Sequence, residues 1–85
     1  MTDAELQDVR SRCDAASEGP WKASIEGRDH ASGSDIIMTR KGVGRGEDIE
    51  MSGGTTADYD FIAHARQDVP RMLEEIARLR KLVRS

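Results

Sequence analysis

The sequence predicts an α+β fold: an N-terminal helix, a three-stranded antiparallel meander, then a kinked or broken pair of C-terminal helices, in the order α-β-β-β-α-α. Three observations predict it. Apolar residues recur at helical spacing near both ends of the chain, they alternate at period two in the middle, and turn-forming Gly, Pro and Ser separate these segments. A chain of 85 residues is expected to form one domain, residues 1–85.

The first helix is predicted over about residues 3–17. Thr2 and Glu5 have the spacing of a capping box, in which each side chain satisfies the other residue's backbone N–H. An apolar stripe at 3-4-3 spacing follows: Leu6, Val9, Cys13 and Ala16. Gly19-Pro20 is expected to end the helix.

The middle of the chain predicts three short strands, over about residues 21–26, 35–39 and 48–51. From Trp21 onward, apolar side chains alternate with polar ones, as in a strand with one buried face. The glycine-rich residues 40–46 are predicted to form the hairpin turn between the second and third strands. Consecutive short strands most simply pair as an antiparallel meander.

The last third predicts two nearly continuous helices, over about residues 56–67 and 69–84. Thr55 and Asp58 offer a second capping box. Pro70 has no N–H and would cost ~3 kcal/mol inside a straight helix. We therefore predict a break or kink near residues 67–69, with Asp68 capping the helix that follows.

Two apolar ladders at seven-residue spacing run along these helices, as in a seam between paired helices. The ladders are Ile62, Val69, Ile76, Val83 and Ala65, Met72, Leu79. A thin core in a small domain gains stability from oligomerisation, and β-branched residues in one core position favour a parallel dimer, with Glu75 and Arg80 on its flanks. The predicted homo-oligomer interface is Ile62, Val69, Met72, Ile76, Leu79 and Val83. The alternative is that this helix packs on its own sheet.

Composition excludes several classes of partner and site. A net charge of −3 gives no general affinity for nucleic acid, and the basic residues from Arg71 onward are more simply a solvated helix face. The single Cys13 rules out an internal disulfide and any multi-cysteine zinc site. No apolar run approaches the ~18 residues of a membrane span and no signal peptide opens the chain, so we expect a cytoplasmic protein without membrane contact.

The candidate ligand site is the turn that leads into the second half of the chain. Its glycines allow close approach of a ligand, and backbone N–H groups at a helix start favour an anion such as a nucleotide phosphate. The lysine of a phosphate-binding loop is absent, and a plain N-cap explains the same residues. The candidate ligand-binding residues are Gly53, Gly54, Thr55 and Thr56, together with Trp21, Lys22, His64 and Arg66.

Each of these side chains also has a purely structural interpretation. Trp21 would either stack on a planar ligand or anchor the core. Arg66 would either hold a phosphate or complement a helix C-terminus. Asp60, His64 and Gln67 share a helix face, where a surface pair is a simpler interpretation than an acid–base pair or metal ligands. We predict no catalytic residues, no metal site and no cofactor, and hence a protein that is not an enzyme.

Two segments carry a resemblance to a known group of proteins: residues 12–22, RCDAASEGPWK, and residues 58–73, DYDFIAHARQDVPRML. They resemble small proteins of bacteriophages, prophages and actinobacteria, including the Ead-like phage early proteins. In these, a GPW turn precedes strands and an FIAxARxDVPxLL segment precedes a terminal helix. The resemblance implies an accessory protein of a mobile element, acting in the host cytoplasm if phage-encoded, and it assigns no binding or catalytic residues.

Two functions remain open from the sequence. The first is a non-enzymatic oligomeric binding protein that sequesters a small anionic or nucleotide signal of host immunity. The second is a protein-interaction module that binds and inhibits a host protein, through its acidic N-terminal half or its terminal helix.

Overall fold

The chain folds in the order helix, three strands, helix, which confirms the predicted α+β class. The computed structural model describes residues 1–84. Its elements are α1 (Asp3–Ala15), β1 (Glu18–Ser24), β2 (Ile36–Lys41), β3 (Gly44–Ile49) and α2 (Thr56–Arg84). The sheet order is β1-β2-β3 with both pairs antiparallel, so the predicted meander is confirmed.

The prediction of two C-terminal helices is wrong, because α2 runs without a break through Pro70. Asp68 lies inside this helix and does not cap a new one. Packing on both sides of the proline explains the continuity. Ala63 before it and Leu73 after it are both buried by the same chain, and this burial offsets the hydrogen bond that Pro70 cannot donate.

α1 begins as predicted and ends two residues early. The Thr2 side chain accepts from the Glu5 N–H while the Glu5 carboxylate accepts from the Thr2 N–H, at 3.1 and 2.8 Å, so the capping box is confirmed. Gly19-Pro20 lies within β1, after the helix has already ended at Ala15.

The strands differ from their predicted bounds because backbone pairing extends beyond the apolar alternation. β1 starts three residues before Trp21, and β2 and β3 together cover all but residues 42 and 43 of the stretch predicted as a turn. The hairpin loop itself is only Gly42-Val43, with Gly42 at φ 60°. A positive φ at the first loop residue is what a type II′ turn requires, and it matches the twist of the flanking strands.

A β-bulge shapes the β2–β3 hairpin. The pairing register shifts by one residue between Met38↔Asp48 and Arg40↔Arg45. Opposite the bulge, the Thr39 hydroxyl donates to the Glu47 carbonyl at 2.7 Å, and a Cβ on Gly46 would lie 2.5 Å from the Thr39 Oγ1. Glycine is therefore required at residue 46 by space rather than by φ.

The core lies between the sheet and the first half of α2. Ile37 on the central strand is fully buried, and Ala23, Ile25, Tyr59 and Ala63 surround it. The Tyr59 hydroxyl donates to the Met51 carbonyl and accepts from the Met51 N–H, both at 3.1 Å. This pair of bonds fastens the segment after β3 to the start of α2.

One edge of the sheet is closed by a side chain. The Gln67 side chain accepts from the Trp21 N–H at 2.8 Å and donates to the Trp21 carbonyl at 3.1 Å. A neighbouring strand would make the same two bonds, so the amide of Gln67 substitutes for a fourth strand beside β1.

The second half of α2 contacts α1. The Arg80 guanidinium bonds the Asp3 carboxylate and the Met1 carbonyl. The molecule is elongated as a result, measuring 54 × 26 × 19 Å.

Candidate functional site

The predicted ligand turn forms a helix cap in which the N–H groups of Thr55 and Asp58 are engaged within the chain. The Thr55 hydroxyl accepts from the Asp58 N–H at 3.1 Å, and the Asp58 carboxylate accepts from the Thr55 N–H at 3.0 Å. These hydrogen bonds hold the pKa of Asp58 below its usual range. A carboxylate therefore occupies the position where an anion would approach the helix start, while Thr56 begins the helix itself.

The two glycines of this turn serve the local fold. Gly53 has φ 78°, which favours glycine, and a Cβ on Gly54 would lie 3.0 Å from the Tyr59 ring. A shallow depression of about 380 Å³ lies beside them and is lined by Met51, Ser52, Gly53, Gly54, Asp58, Phe61 and Ile62. Asp58 is the one charged side chain in that lining, so the depression is acidic.

Trp21 and Arg66 come together, but on a backbone carbonyl. The Trp21 indole N–H and the Arg66 Nε–H both donate to the Ser17 carbonyl, at 3.0 and 2.9 Å. Both side chains thus fix the connection between α1 and β1. Trp21 also packs against the core, whereas Arg66 complements no helix end of its own, because α2 continues past it. Lys22 is exposed on the sheet and lines a different depression, on the side of Met38 and Arg45.

His64 is not part of an acid–base pair with the Asp60 carboxylate. Its Nδ1 lies 2.8 Å from the Asp60 carbonyl, which can only accept, so Nδ1 carries the proton. The Asp60 carboxylate instead accepts two bonds from Arg28, at 2.9 and 3.0 Å, which lower the pKa of Asp60. This pair ties the loop after β1 to α2.

The eight candidate ligand residues therefore do not converge on one pocket. Gly53 and Gly54 line one depression, Lys22 lines another, and Trp21 and Arg66 hold a backbone segment. Within residues 1–84, no group of three or more His, Cys, Asp or Glu side chains is placed to hold a metal ion.

Five of the seven exposed large apolar side chains among the described residues lie on α2, and three of these five belong to the predicted seam. Phe61 is 75% exposed, Met72 60%, Leu79 47% and Val83 88%. At ~100° per residue these side chains fall on one face, roughly 130° around the helix from the buried Tyr59, Ala63 and Leu73. We call this face the α2 stripe: Phe61, Ala65, Val69, Met72, Ile76, Leu79 and Val83.

The predicted interface residues lie partly on the core and partly in solvent. Ile62 packs against the core cluster, and Val69 and Ile76 are half-buried. A seven-residue repeat falls ~20° short of two full turns of the helix. Over the three repeats from Ile62 to Val83 the ladder therefore moves by ~60° around the helix axis. That rotation carries the ladder from the chain's own sheet into solvent.

The two flanks of the α2 stripe differ. On one side, Arg66, Leu73 and Arg80 contact the same chain: Arg66 bonds Ser17, Arg80 bonds Asp3, and Leu73 is buried. The predicted ion pair between Glu75 of one chain and Arg80 of another would therefore compete with a bond within the chain, because Arg80 already bonds Asp3 of α1.

On the other side lies an open flank with charges of alternating sign: Asp68, Arg71, Glu75 and Arg78. Glu75 pairs with Arg78 at 2.5 Å, which lowers the pKa of Glu75 and raises the pKa of Arg78. Within the described residues, neither Asp68 nor Arg71 forms an ion pair. The alternation is a feature of the stripe's border that the sequence-based prediction did not use.

A cleft of about 450 Å³ separates α1 from the second half of α2. Leu6, Leu73 and Ala77 form its apolar part, and Arg10 and Arg80 stand at its margin. The half-buried Val9 and Cys13 continue the inner face of α1. This cleft is the gap left by incomplete packing of two helices, and Arg80 already spans it to Asp3.

Sequence reasoning missed two features of the site. Phe61 was placed on the helix but not on the stripe, although it lies eleven residues before Met72 and hence on the same face. The double bond from Gln67 to β1 has no signature in the sequence, since it joins residues 46 apart.

No described helix has the length and apolar composition that crossing a membrane requires. Comparison with protein-family models, with curated proteins and with solved structures finds no match to this chain.

Proposed function

We propose that this protein is a non-enzymatic interaction module whose working surface is the α2 stripe, and that the stripe binds the apolar face of a partner helix. The observation that carries the proposal is the exposure of Phe61, Met72, Leu79 and Val83 along one face of a helix whose opposite face already packs on its own chain. Helix-on-helix docking uses apolar residues at this spacing. The resemblance to phage early proteins supports an accessory role in the cytoplasm of a host cell.

The exposed area supports a modest affinity. Covering Met72, Leu79 and Val83 would gain roughly 4 kcal/mol, from ~1.5–3 kcal/mol for each fully buried side chain scaled by its exposure. An equal contribution from the partner doubles this gain, and the entropy of association opposes it by at least ~4 kcal/mol. The net gain is then about 4 kcal/mol, so we expect a dissociation constant of about a millimolar.

Sequestration of an anionic or nucleotide signal has less support from the geometry. Asp58 places a negative charge at the helix start, and the Trp21 indole N–H and the Arg66 Nε–H donate to the Ser17 carbonyl. A ligand that used these two N–H groups would have to displace that carbonyl.

The test is a capture experiment with three immobilised proteins. These are the wild type, the stripe variant Met72→Glu with Leu79→Glu, and a control that adds the same two charges at exposed positions elsewhere, Ser11→Glu with Ser32→Glu. Each is incubated with a host-cell lysate that also contains an untagged copy of this chain, bound proteins are cross-linked with formaldehyde before washing so that weak complexes are kept, and retained proteins are identified by mass spectrometry.

We expect the wild type and the control to retain the same dominant protein, and the stripe variant to lose it. Equal retention by all three would refute the α2 stripe as the working surface. Charge reversal at Asp8 and Asp14 of α1 checks the other surface considered from the sequence. Loss of capture by that variant alone would assign binding to the acidic face of α1.

A further inference from the structure

We propose that the occupant of the α2 stripe is the same stripe of a second copy of this chain, lying antiparallel to the first. This inference rests on the proposed function and deepens it by naming the partner and its direction. It differs from the parallel dimer that the β-branched residues alone favour. The difference comes from the two flanks of the stripe.

The charges along the open flank alternate in sign, so two copies of the flank that run in opposite directions place unlike charges beside each other. Asp68, Arg71, Glu75 and Arg78 read minus, plus, minus, plus along the helix. In an antiparallel pair the open flanks of the two copies meet, and the reversed order brings unlike charges together. Asp68 of one copy then approaches Arg78 of the other, and Arg71 approaches Glu75, so the two charges that form no ion pair within the described residues join the existing Glu75–Arg78 pair of the other copy.

The closed flank argues against a parallel pair. In a parallel pair with a two-fold axis along the helices, the open flank of one copy would face the closed flank of the other. There Arg66 and Arg80 are already bonded to Ser17 and Asp3, and Leu73 is buried by its own chain. The acidic side chains would meet cations that have partners and would approach the other copy's α1.

Six of the seven stripe residues form matching layers in the antiparallel arrangement, and Phe61 lies outside the paired segment. The layers, related by a two-fold axis near residue 74, are Ala65 with Val83, Val69 with Leu79, and Met72 with Ile76. In this register the approaching charges, Asp68 with Arg78 and Arg71 with Glu75, are offset by only ~3 Å along the helix. The face of α2 that packs on its own chain lies roughly 130° from the stripe, so the rest of each copy is directed away from the pairing surface.

Cysteine cross-linking distinguishes the two directions. In a Cys13→Ser background, Ala65→Cys and Val83→Cys proteins are prepared separately, then treated with a short bismaleimide alone and as an equal mixture. Antiparallel pairing puts residues 65 and 83 of different copies side by side, and it separates two copies of residue 65 by ~27 Å. Parallel pairing does the reverse.

We expect a cross-linked species of twice 9.4 kDa in the mixture and no such species when either protein is treated alone. Cross-linking of each protein alone without a mixed product would overturn the antiparallel direction. A single 9.4 kDa species by light scattering at millimolar concentration, with no cross-link, would overturn self-association altogether. Either failure leaves the proposed function standing if the stripe variant still loses a different captured protein.

A second measurement guards against loss of folding in the Ala65 variant. Leu82 is 60% exposed at the border of the stripe, so a spin label on Leu82→Cys leaves the packing unchanged. An antiparallel pair places the two labels ~25 Å apart, whereas a parallel pair places them within one helix spacing, ~10 Å plus the label arms. A short distance would overturn the proposal.

Discussion

Replacing Gln67 with Ala is expected to destabilise the fold more than any exposed substitution on α2. The change removes both hydrogen bonds to Trp21, at 2.8 and 3.1 Å, across 46 residues of sequence. Each bond contributes ~0.5–1.5 kcal/mol, and the backbone groups of Trp21 lose partners in a half-buried position. We expect the free energy of unfolding to fall by about 2–3 kcal/mol.

The assay is urea denaturation followed by circular dichroism, with Glu74→Ala as the control because Glu74 is exposed on the same helix. The control should change the free energy of unfolding by less than ~0.5 kcal/mol. The uncovered edge of β1 also becomes available for pairing with another chain, so Gln67→Ala should scatter more light than the control at high concentration. A loss under ~0.5 kcal/mol for Gln67→Ala would refute the idea that this amide replaces a strand.

Three further predictions follow from the fold. Pro70→Ala should raise the free energy of unfolding by up to ~3 kcal/mol, because α2 is continuous there; a lower melting temperature would contradict this. Gly46→Ala should lower it by about 1–3 kcal/mol through overlap with the Thr39 side chain, whereas Gly44→Ala, which has more space, serves as the control in the same melts. Because the pKa of Asp58 is lowered by folding, its carboxylate stabilises the folded state fully above ~pH 4, the unfolded pKa, and this stabilisation is lost as the pH falls through the folded pKa. Asp58→Asn should therefore reduce the fall in melting temperature at acid pH. An unchanged pH dependence of the melting temperature would contradict the cap.

Local chemistry made both helix starts predictable. The capping boxes at Thr2–Glu5 and Thr55–Asp58 form as their three-residue spacing indicates, because every partner lies within one turn. The alternation of apolar and polar residues from Trp21 to Ile25 likewise predicted that Ala23 and Ile25 are buried, because one face of the sheet meets the core.

The features that were wrong or missing depend on contacts between distant residues. The local cost of Pro70 predicts a break, but burial of Ala63 and Leu73 against the rest of the chain overrides it. β2 and β3 extend into the glycine-rich stretch because their backbone hydrogen bonds, including a bulge, continue there. The side-chain pattern does not predict this backbone pairing. The anion site was proposed from glycines and hydroxyls alone, without knowing that Asp58 would turn back onto Thr55.

The contact of Arg80 with Met1 and Asp3 brings the beginning of the chain beside the end of its last helix. A short flexible peptide could therefore lead from the end of α2 back to Met1, and a chain opened between Gly42 and Val43 would then begin and end at a fully exposed loop tip. Such a rearranged chain would keep every core contact while moving both termini to the far side of the sheet. Labels or surface anchors attached there would leave the terminal helix unobstructed.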